Sequence, residues 1–114
     1  MITFHPSLAL HAVPSDKAVK CVVDGLSVLL VRDSAGQVFA FENKCSHADK
    51  PLEKGRWDPE TREMLCPFHK AVFDVASGGA VKVGPAFVAL QIYPVEIRQQ
   101  AGHAVVFVGV DCED

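Results

Sequence analysis

The middle of the chain carries two short cysteine–histidine pairs, and these pairs constrain its fold more than any other feature. The first pair is Cys45-x-His47, and the second, Cys66-x-x-His69, follows after eighteen intervening residues. Two thiols and two imidazoles in paired short spacings are what two facing loops need in order to clamp one inorganic centre. We therefore expect a fold that holds two loops face to face.

Zinc is one candidate for such a centre. Zinc favours Cys₂His₂ tetrahedra, but its usual spacings, C-x₂₋₄-C and H-x₃₋₅-H, pair like with like. Here each loop gives one cysteine and one histidine. A zinc-stabilised binding module without a redox role is therefore the alternative from another class.

The remaining cysteines and histidines lack a partner at metal-binding spacing. Cys21 lies in an apolar segment and Cys112 in the acidic tail, and a buried cysteine ordinarily behaves as a small hydrophobic residue. We interpret His5, His11 and His103 as structural or surface residues.

The two ends of the chain are predicted to form antiparallel β-structure, because short apolar segments alternate there with turn signals. Asp24-Gly25 supplies the positive φ angles that a tight hairpin turn demands, so a three-strand meander is expected around it. Pro94 suits an edge or a bulge. The predicted strands are residues 18–23, 26–32, 37–42, 89–93, 95–98 and 104–108.

Residues 43–87 form a long irregular stretch with short strand candidates at residues 64–65 and 72–75. Such a stretch inside a compact domain needs a reason to be ordered, and it is usually functional. A metal site would supply that reason. Trp57 lies in this stretch, where it either shields the centre, anchors a partner or packs in a minor core.

Length and charge exclude several classes of function. The 114 residues are enough for one domain, and a net charge of -3 is the opposite of the basic surface that nucleic-acid binding needs. No apolar run is long enough to span a membrane, and the first residues lack the basic region of a secretory signal. We therefore expect a cytoplasmic protein with neither a nucleic-acid nor a membrane partner.

Cys45-Ser-His47 together with Cys66-Pro-Phe-His69 resembles the Rieske 2Fe-2S motif, in which two cysteines bind one iron and two histidines bind the other. The resemblance covers nearly the whole chain. It implies one 2Fe-2S cluster with Cys45, His47, Cys66 and His69 as ligands. The flanking sequences that support it are residues 38–43, Phe73-Asp74, residues 77–79, residues 84–86, Leu90 and residues 93–95.

The same resemblance implies an all-β, Rieske-type fold for the single domain of residues 1–114. A base lobe of antiparallel strands would comprise about residues 1–42 and 89–112, with a smaller cluster-binding lobe, about residues 43–88, inserted between them. The loop at residues 84–86 would cover the cluster as a third wall.

Four positions indicate which branch of the family the chain resembles. High-potential Rieske proteins carry an extra cysteine in each cluster loop, where this chain has Lys50 and Phe68. They also place a serine and a tyrosine after the second histidine, where this chain has Ala71 and Phe73. Without these hydroxyl donors, the reduction potential is expected in the lower part of the Rieske range.

Lys70 departs from the pattern of Rieske ferredoxins, which usually carry glycine directly after the second histidine. A nearby cation favours the reduced cluster, so this residue is expected to raise the potential.

Rieske oxygenases continue into a large catalytic domain, whereas this chain ends at Asp114. The resemblance therefore implies a one-electron carrier and not an enzyme: a ferredoxin that passes electrons from a flavin-containing reductase to a terminal oxygenase of the aromatic-ring-hydroxylating type, in aromatic hydrocarbon catabolism. A monomer with transient complexes is expected. The alternative within the family is the Rieske-type small subunit of an assimilatory nitrite reductase. The predicted docking residues are Phe68, Pro85, Ala48 and Lys70.

Overall fold

The structure is a computed structural model that describes residues 2–44, 51–67, 71–83 and 90–111. Within these residues the regular structure consists of antiparallel β-strands and two 3₁₀ turns, Leu10–Ala12 and Val75–Ser77. The strands are β1 (Ile2–Ala9), β2 (Val19–Val23), β3 (Leu26–Arg32), β4 (Val38–Glu42), β5 (Arg56–Asp58), β6 (Glu63–Leu65), β7 (Val72–Asp74), β8 (Ala80–Val83), β9 (Ile92–Tyr93), β10 (Val95–Gln100) and β11 (His103–Asp111). In this described part, no helix is long and apolar enough to cross a membrane.

The strands form three sheets. The terminal sheet has the order β1-β11-β10, the central sheet β2-β3-β4-β9, and the inserted sheet β5-β6-β7-β8. All the neighbouring strands pair antiparallel. This arrangement confirms the all-β prediction.

The central sheet forms the middle layer of the molecule. Strand β3 is buried without interruption from Val28 to Val31, because alternate side chains point to opposite faces and both faces are covered. Leu29 and Val31 belong to the first core, which includes residues of the inserted sheet, whereas Val28 and Leu30 belong to the second core, which includes residues of the terminal sheet. The first core consists of Leu29, Val31, Phe41, Leu52, Trp57, Met64, Cys66, Ala71, Phe73, Val75 and Leu90. The second consists of Val13, Val23, Val28, Leu30, Val38, Ala40, Val106, Val108 and Val110.

The predicted meander is present as β2, β3 and β4. Its first turn uses Asp24 at φ 50° and Gly25 at φ 78°, the left-handed angles that the Asp-Gly pair was expected to supply. Pro94 separates two strands that belong to different sheets: β9 pairs with β4, and β10 pairs with β11. The proline therefore marks the point where the chain changes sheet.

Some elements differ from the sequence prediction. Strand β1 was not predicted because Pro6 interrupts its pattern; it is an edge strand, and its register shifts between Pro6 and Ala9, where proline costs little. The short strands β5 and β8 were also missed. The predicted strand at 72–75 ends at Asp74, and Val75 begins a 3₁₀ turn. Residues 89 and 112–114 lie outside the described residues.

The inserted sheet comes from residues 56–83, and the other two sheets come from residues 2–42 and 92–111. The first core nevertheless combines Leu29 and Phe41 of the central sheet with Met64 and Phe73 of the inserted sheet. The division into a base lobe and a cluster-binding lobe stays a prediction.

Candidate metal centre

Of the four predicted ligands, Cys66 lies within the described residues. The predicted site residues outside them are Cys45, His47, Ala48, Phe68, His69, Lys70 and Pro85. The described part of the site consists of Cys66 and of the residues that flank three segments of the chain. These segments are residues 45–50, 68–70 and 84–89.

Cys66 directly follows β6 and is completely buried in the first core. Its backbone N–H donates a hydrogen bond of 2.8 Å to the carbonyl oxygen of Ala71. Together with the Leu65–Val72 pair of the ladder, this bond closes the connection between β6 and β7. The cysteine is a free thiol and not part of a disulfide.

Asn43 holds the two ends of the first segment together. Its side-chain oxygen Oδ1 accepts a hydrogen bond of 2.9 Å from the backbone N–H of Leu52. Its own N–H donates to the carbonyl oxygen of Ser27 at 3.0 Å, and its Nδ2 donates to Ser27 Oγ at 3.1 Å. One side chain thus fixes both the departure of the chain from β4 and its return at Leu52.

Gly79 and Leu90 close the stretch of chain that contains β8 and the third segment. The N–H of Leu90 donates to the carbonyl oxygen of Gly79 at 2.8 Å. Gly79 has φ +78°, and a Cβ at this position would lie 2.3 Å from the carbonyl oxygen of Leu90. Only glycine fits this contact, because any other residue would add both a steric clash and backbone strain.

The bases of all three segments lie in one buried cluster. Phe41 and Leu52 flank the first segment, Cys66 and Ala71 flank the second, and Leu90 follows the third; all five belong to the first core. Two segments with both flanks in one dense cluster, and a third that returns to it, are what a centre held by facing loops requires. Dense packing also fixes the separations of their bases.

The described residues fit an iron–sulfur centre in the chemistry of their donor. A buried thiol is a soft ligand suited to iron–sulfur clusters, and the surrounding apolar side chains keep water away from it. Within the described ranges no three metal-ligating side chains come together, since the other three predicted ligands lie outside them. Ala71 and Phe73 are both completely buried in the core that contains Cys66, and neither carries a hydroxyl group.

Trp57 and Cys21, which the sequence analysis considered, each pack in or against one of the two cores. Trp57 is buried in the first core, and its Nε1 donates to the carbonyl oxygen of Arg32 at 2.9 Å. Cys21 on β2 is half-buried against the second core, and this burial raises the pKa of its thiol.

Charged residues near the first segment are paired. Glu53 lies 3.9 Å from Lys20 Nζ, and its Oε1 accepts from Asn43 Nδ2 at 3.4 Å. On the inserted sheet Lys82 pairs with Glu63, and this hydrogen bond raises the pKa of the lysine. Both pairs are solvent-exposed, where ion pairs contribute little to stability.

Sequence reasoning gave no role to Asn43 or Gly79, although both occur in the flanking sequences on which the resemblance rests. The sequence nevertheless contains a recognisable pattern at each of these two residues. Asparagine directly after a strand often accepts hydrogen bonds from the backbone, and a Gly-Gly pair indicates left-handed backbone or a close approach.

Comparisons with known proteins agree with this architecture. A family model described as Rieske [2Fe-2S] domain matches residues 4–94. The ferredoxin component of a naphthalene 1,2-dioxygenase system from Pseudomonas aeruginosa is 31% identical over 94 residues, which are 82% of this chain and 86% of that protein.

Two solved structures are also similar. The ferredoxin of carbazole 1,9a-dioxygenase from Nocardioides aromaticivorans IC177 has a TM-score of 0.78 and 31% identity, with 91% of this chain and 96% of that chain covered. A putative NADH-dependent nitrite reductase small subunit from Mycobacterium tuberculosis has a TM-score of 0.82 at 18% identity, with 99% of each chain covered, and shows the fold alone.

Three antiparallel sheets, with a buried cysteine in the core that flanks the three segments, fit an iron–sulfur electron carrier. The chain belongs to the Rieske [2Fe-2S] domain family. It carries a Rieske 2Fe-2S cluster and acts as a ferredoxin, an electron-transfer component and not a catalyst by itself, as the sequence predicted.

Proposed function

We propose that this ferredoxin receives single electrons from a flavin-containing reductase and passes them to a terminal oxygenase of the aromatic-ring-hydroxylating type. The observation that carries the proposal is the 31% identity, over most of both chains, to a protein described as the ferredoxin component of a naphthalene 1,2-dioxygenase system. We place this activity in the cytoplasm, in aromatic hydrocarbon catabolism, and expect a monomer.

The proposed ligands are Cys45 and Cys66 for one iron, and His47 and His69 for the other. Supporting this set, Cys66 is a fully buried thiol of the first core, and the segments that carry the other three residues have flanking residues in the same core. When bound, the cluster supplies the one-electron redox chemistry. The chain's own residues hold it, keep water from its buried side and set its potential.

The proposed reduction potential lies in the lower part of the Rieske range of roughly -150 to +300 mV. Ala71 and Phe73 support this value, because both are completely buried and neither can donate a hydroxyl hydrogen bond to cluster or cysteine sulfur. Lys70 acts in the opposite direction. A measured potential above roughly +100 mV would contradict the proposal.

The proposed docking surface consists of Phe68, Pro85 and Ala48 with Lys70 at its rim. A carrier must leave each partner after electron transfer, and redox encounter interfaces are accordingly small and weak. The proposed cluster-binding lobe, about residues 43–88, contains all of these residues.

The first experiment establishes the centre in protein purified without oxygen. We expect visible absorption and low-temperature EPR, before and after dithionite, to show a reducible 2Fe-2S centre whose average g lies below the free-electron value, with two irons and two sulfides per chain. A colourless, EPR-silent protein containing zinc would mean the structural module instead.

The second experiment tests the partner. Dithionite-reduced ferredoxin is mixed under stopped flow with the oxygenase of a naphthalene 1,2-dioxygenase system or with a sirohaem nitrite reductase. We expect oxidation of the ferredoxin by the oxygenase to be the faster reaction. Faster oxidation by the nitrite reductase, or no oxidation by either enzyme, would contradict the proposed partner.

A further inference from the structure

A cavity of about 350 Å³ lies where the central and terminal sheets end in hairpin turns. Arg32 is the last residue of β3, and His103 directly follows the turn between β10 and β11. Glu42, which precedes the first cluster segment, pairs with Val28 at the other end of β3. The cavity is therefore at the end of the central sheet opposite to the one where β4 ends at Glu42. It is lined by Leu10, His11, Arg32, Gly102, His103 and Ala104, and we call it the arginine–histidine cavity.

The guanidinium of Arg32 is only partly satisfied in this cavity. Its Nη2 donates a hydrogen bond of 2.7 Å to the carbonyl oxygen of Leu10, which fixes the orientation of the group. Its Nε is buried and has no hydrogen-bond partner among the described residues. A buried donor without an acceptor costs free energy, and such a donor is a ready partner for a bound anion.

The two histidines add further donors to the same cavity. His11 and His103 are both solvent-exposed, and within the described ranges neither imidazole makes a hydrogen bond or an ion pair. An imidazole donates at least one N–H in either protonation state. Arg32, His11 and His103 line the cavity from the end of β3, from the first 3₁₀ turn and from the start of β11 respectively.

Acidic side chains do not neutralise these donors. Within the described part of the chain no aspartate or glutamate lines the cavity. Asp33, the nearest acid in sequence, accepts hydrogen bonds from the backbone N–H groups of Ala35 and Gln37 at 3.0 and 2.8 Å, and its other oxygen lies 4.0 Å from Arg62. A chain with a net charge of -3 thus keeps one concave site lined by nitrogen donors alone among its side-chain polar groups.

We propose that the arginine–histidine cavity binds an oxyanion of the phosphate class, either free phosphate or the phosphoryl group of a small metabolite. Arginine's planar set of donors matches the oxygens of phosphate. Three donor groups that come from three different elements suit a tetrahedral anion with non-coplanar oxygens. The orphaned Nε of Arg32 would then gain the acceptor that it lacks.

Binding is tested on the cluster-loaded protein by calorimetric titration and by imidazole NMR, in a phosphate-free buffer of constant ionic strength. The probes are inorganic phosphate and glycerol 3-phosphate, with chloride as the reference anion. We expect saturable binding of a phosphate probe with shifts of the His11 and His103 resonances. Tighter binding of inorganic phosphate identifies the free anion, and tighter binding of the ester identifies a metabolite.

Variants distinguish specific binding in the cavity from nonspecific electrostatic attraction of the anion. His103→Asp, at the exposed first residue of β11, should abolish binding. Arg32→Gln should weaken binding about tenfold, the loss expected for a hydrogen bond to a charged group. The matched control is Arg56→Gln, which removes an equal charge from an exposed residue outside the cavity. Equal weakening by Arg56→Gln, unchanged binding in His103→Asp, or no saturable binding in the natural sequence would overturn the proposal.

Discussion

Cys66 is completely buried, whereas Cys21 keeps part of its side chain exposed, and this difference separates a proposed ligand from a structural thiol. The backbone N–H of Cys66 is engaged with Ala71, and its side chain lies in the first core. Cys21 packs against the second core on the other face of the central sheet. The two cysteines therefore provide a matched pair for mutation.

The first prediction concerns this pair. Cys66→Ser should lose all or most of the cluster, because serine replaces a soft thiolate by a hard hydroxyl that binds iron poorly. Cys21→Ser should keep the full spectrum and the full iron content. Visible absorption and iron per chain measure both variants. A Cys66→Ser protein with an intact Rieske spectrum would show the ligand assignment to be wrong.

The second prediction concerns Phe73. Phe73→Tyr should raise the reduction potential by on the order of 50 mV, because a new hydroxyl donor stabilises the more negative reduced state. Phe39→Tyr is the control, since it adds the same hydroxyl to a side chain that packs against the same core from its partly exposed edge. Voltammetry measures both potentials. Equal shifts of the potential in the two variants, or no shift in Phe73→Tyr, would show that the missing hydroxyl at position 73 does not lower the reduction potential.

At the scale of elements, the connections are held by contacts of different kinds. Asn43 closes the first segment with its side chain, Cys66 and Ala71 close the second with their backbones, and Gly79 and Leu90 close the third by direct approach of two backbones. The third closure depends most strictly on residue type, because it leaves no space for a Cβ.

The third prediction compares two neighbouring glycines. Gly78 and Gly79 have nearly the same φ, +71° and +78°, but a Cβ at Gly78 would meet open space. Gly78→Ala should therefore cost about 1–2 kcal/mol, the strain of left-handed backbone alone. Gly79→Ala should cost about 3 kcal/mol or more, since overpacking against Leu90 is added. Urea unfolding measures the difference, and equal losses in both variants would contradict the tight contact.

The sequence predicts those strands and turns that are determined by residues adjacent in the chain. Asp24-Gly25 determines its own turn angles, so β2 and β3 could be located in advance. Strand β5 could not, because the three residues Arg56–Asp58 are too few to establish a periodic pattern, and they pair with β6 through contacts that only the tertiary structure provides. Strand β1 was hidden by Pro6, whose tolerance depends on an edge position that the sequence does not show.

For the site, the cysteine–histidine spacing was sufficient to predict the cluster and the family. The frame around it was not predictable, because the Asn43–Leu52 and Gly79–Leu90 contacts depend on how distant segments meet. The burial of Trp57 has the same origin: its indole N–H pairs with Arg32, 25 residues away in sequence.

At the scale of the whole molecule, the central sheet is shared by two cores. Leu29 and Leu30 are neighbours in β3 and are both completely buried, one in the first core and one in the second. Neither core can be dismantled without removing the sheet on which the other depends. The described part of the chain should therefore unfold as one cooperative unit.

The fourth prediction tests this cooperativity. Leu29→Ala and Leu30→Ala should each cost about 2–5 kcal/mol. Both should lower the urea midpoint reported by Trp57, which lies in the first core and is the chain's single tryptophan, and far-UV circular dichroism should give the same midpoints. If Leu30→Ala left the Trp57 transition unchanged while shifting the dichroism, the two cores would be separate folding units.

The common origin of the three loop bases in the first core bears on the speed of electron exchange. A densely packed interior resists deformation, so the separations between these bases change little when the charge of the cluster changes by one. We therefore expect the first core to rearrange little with each electron and to contribute little to the reorganisation energy of transfer. On this basis, we expect encounter and release of the partners to limit the turnover of the carrier. The rate of electron exchange would then depend on the docking interface more than on the protein's interior.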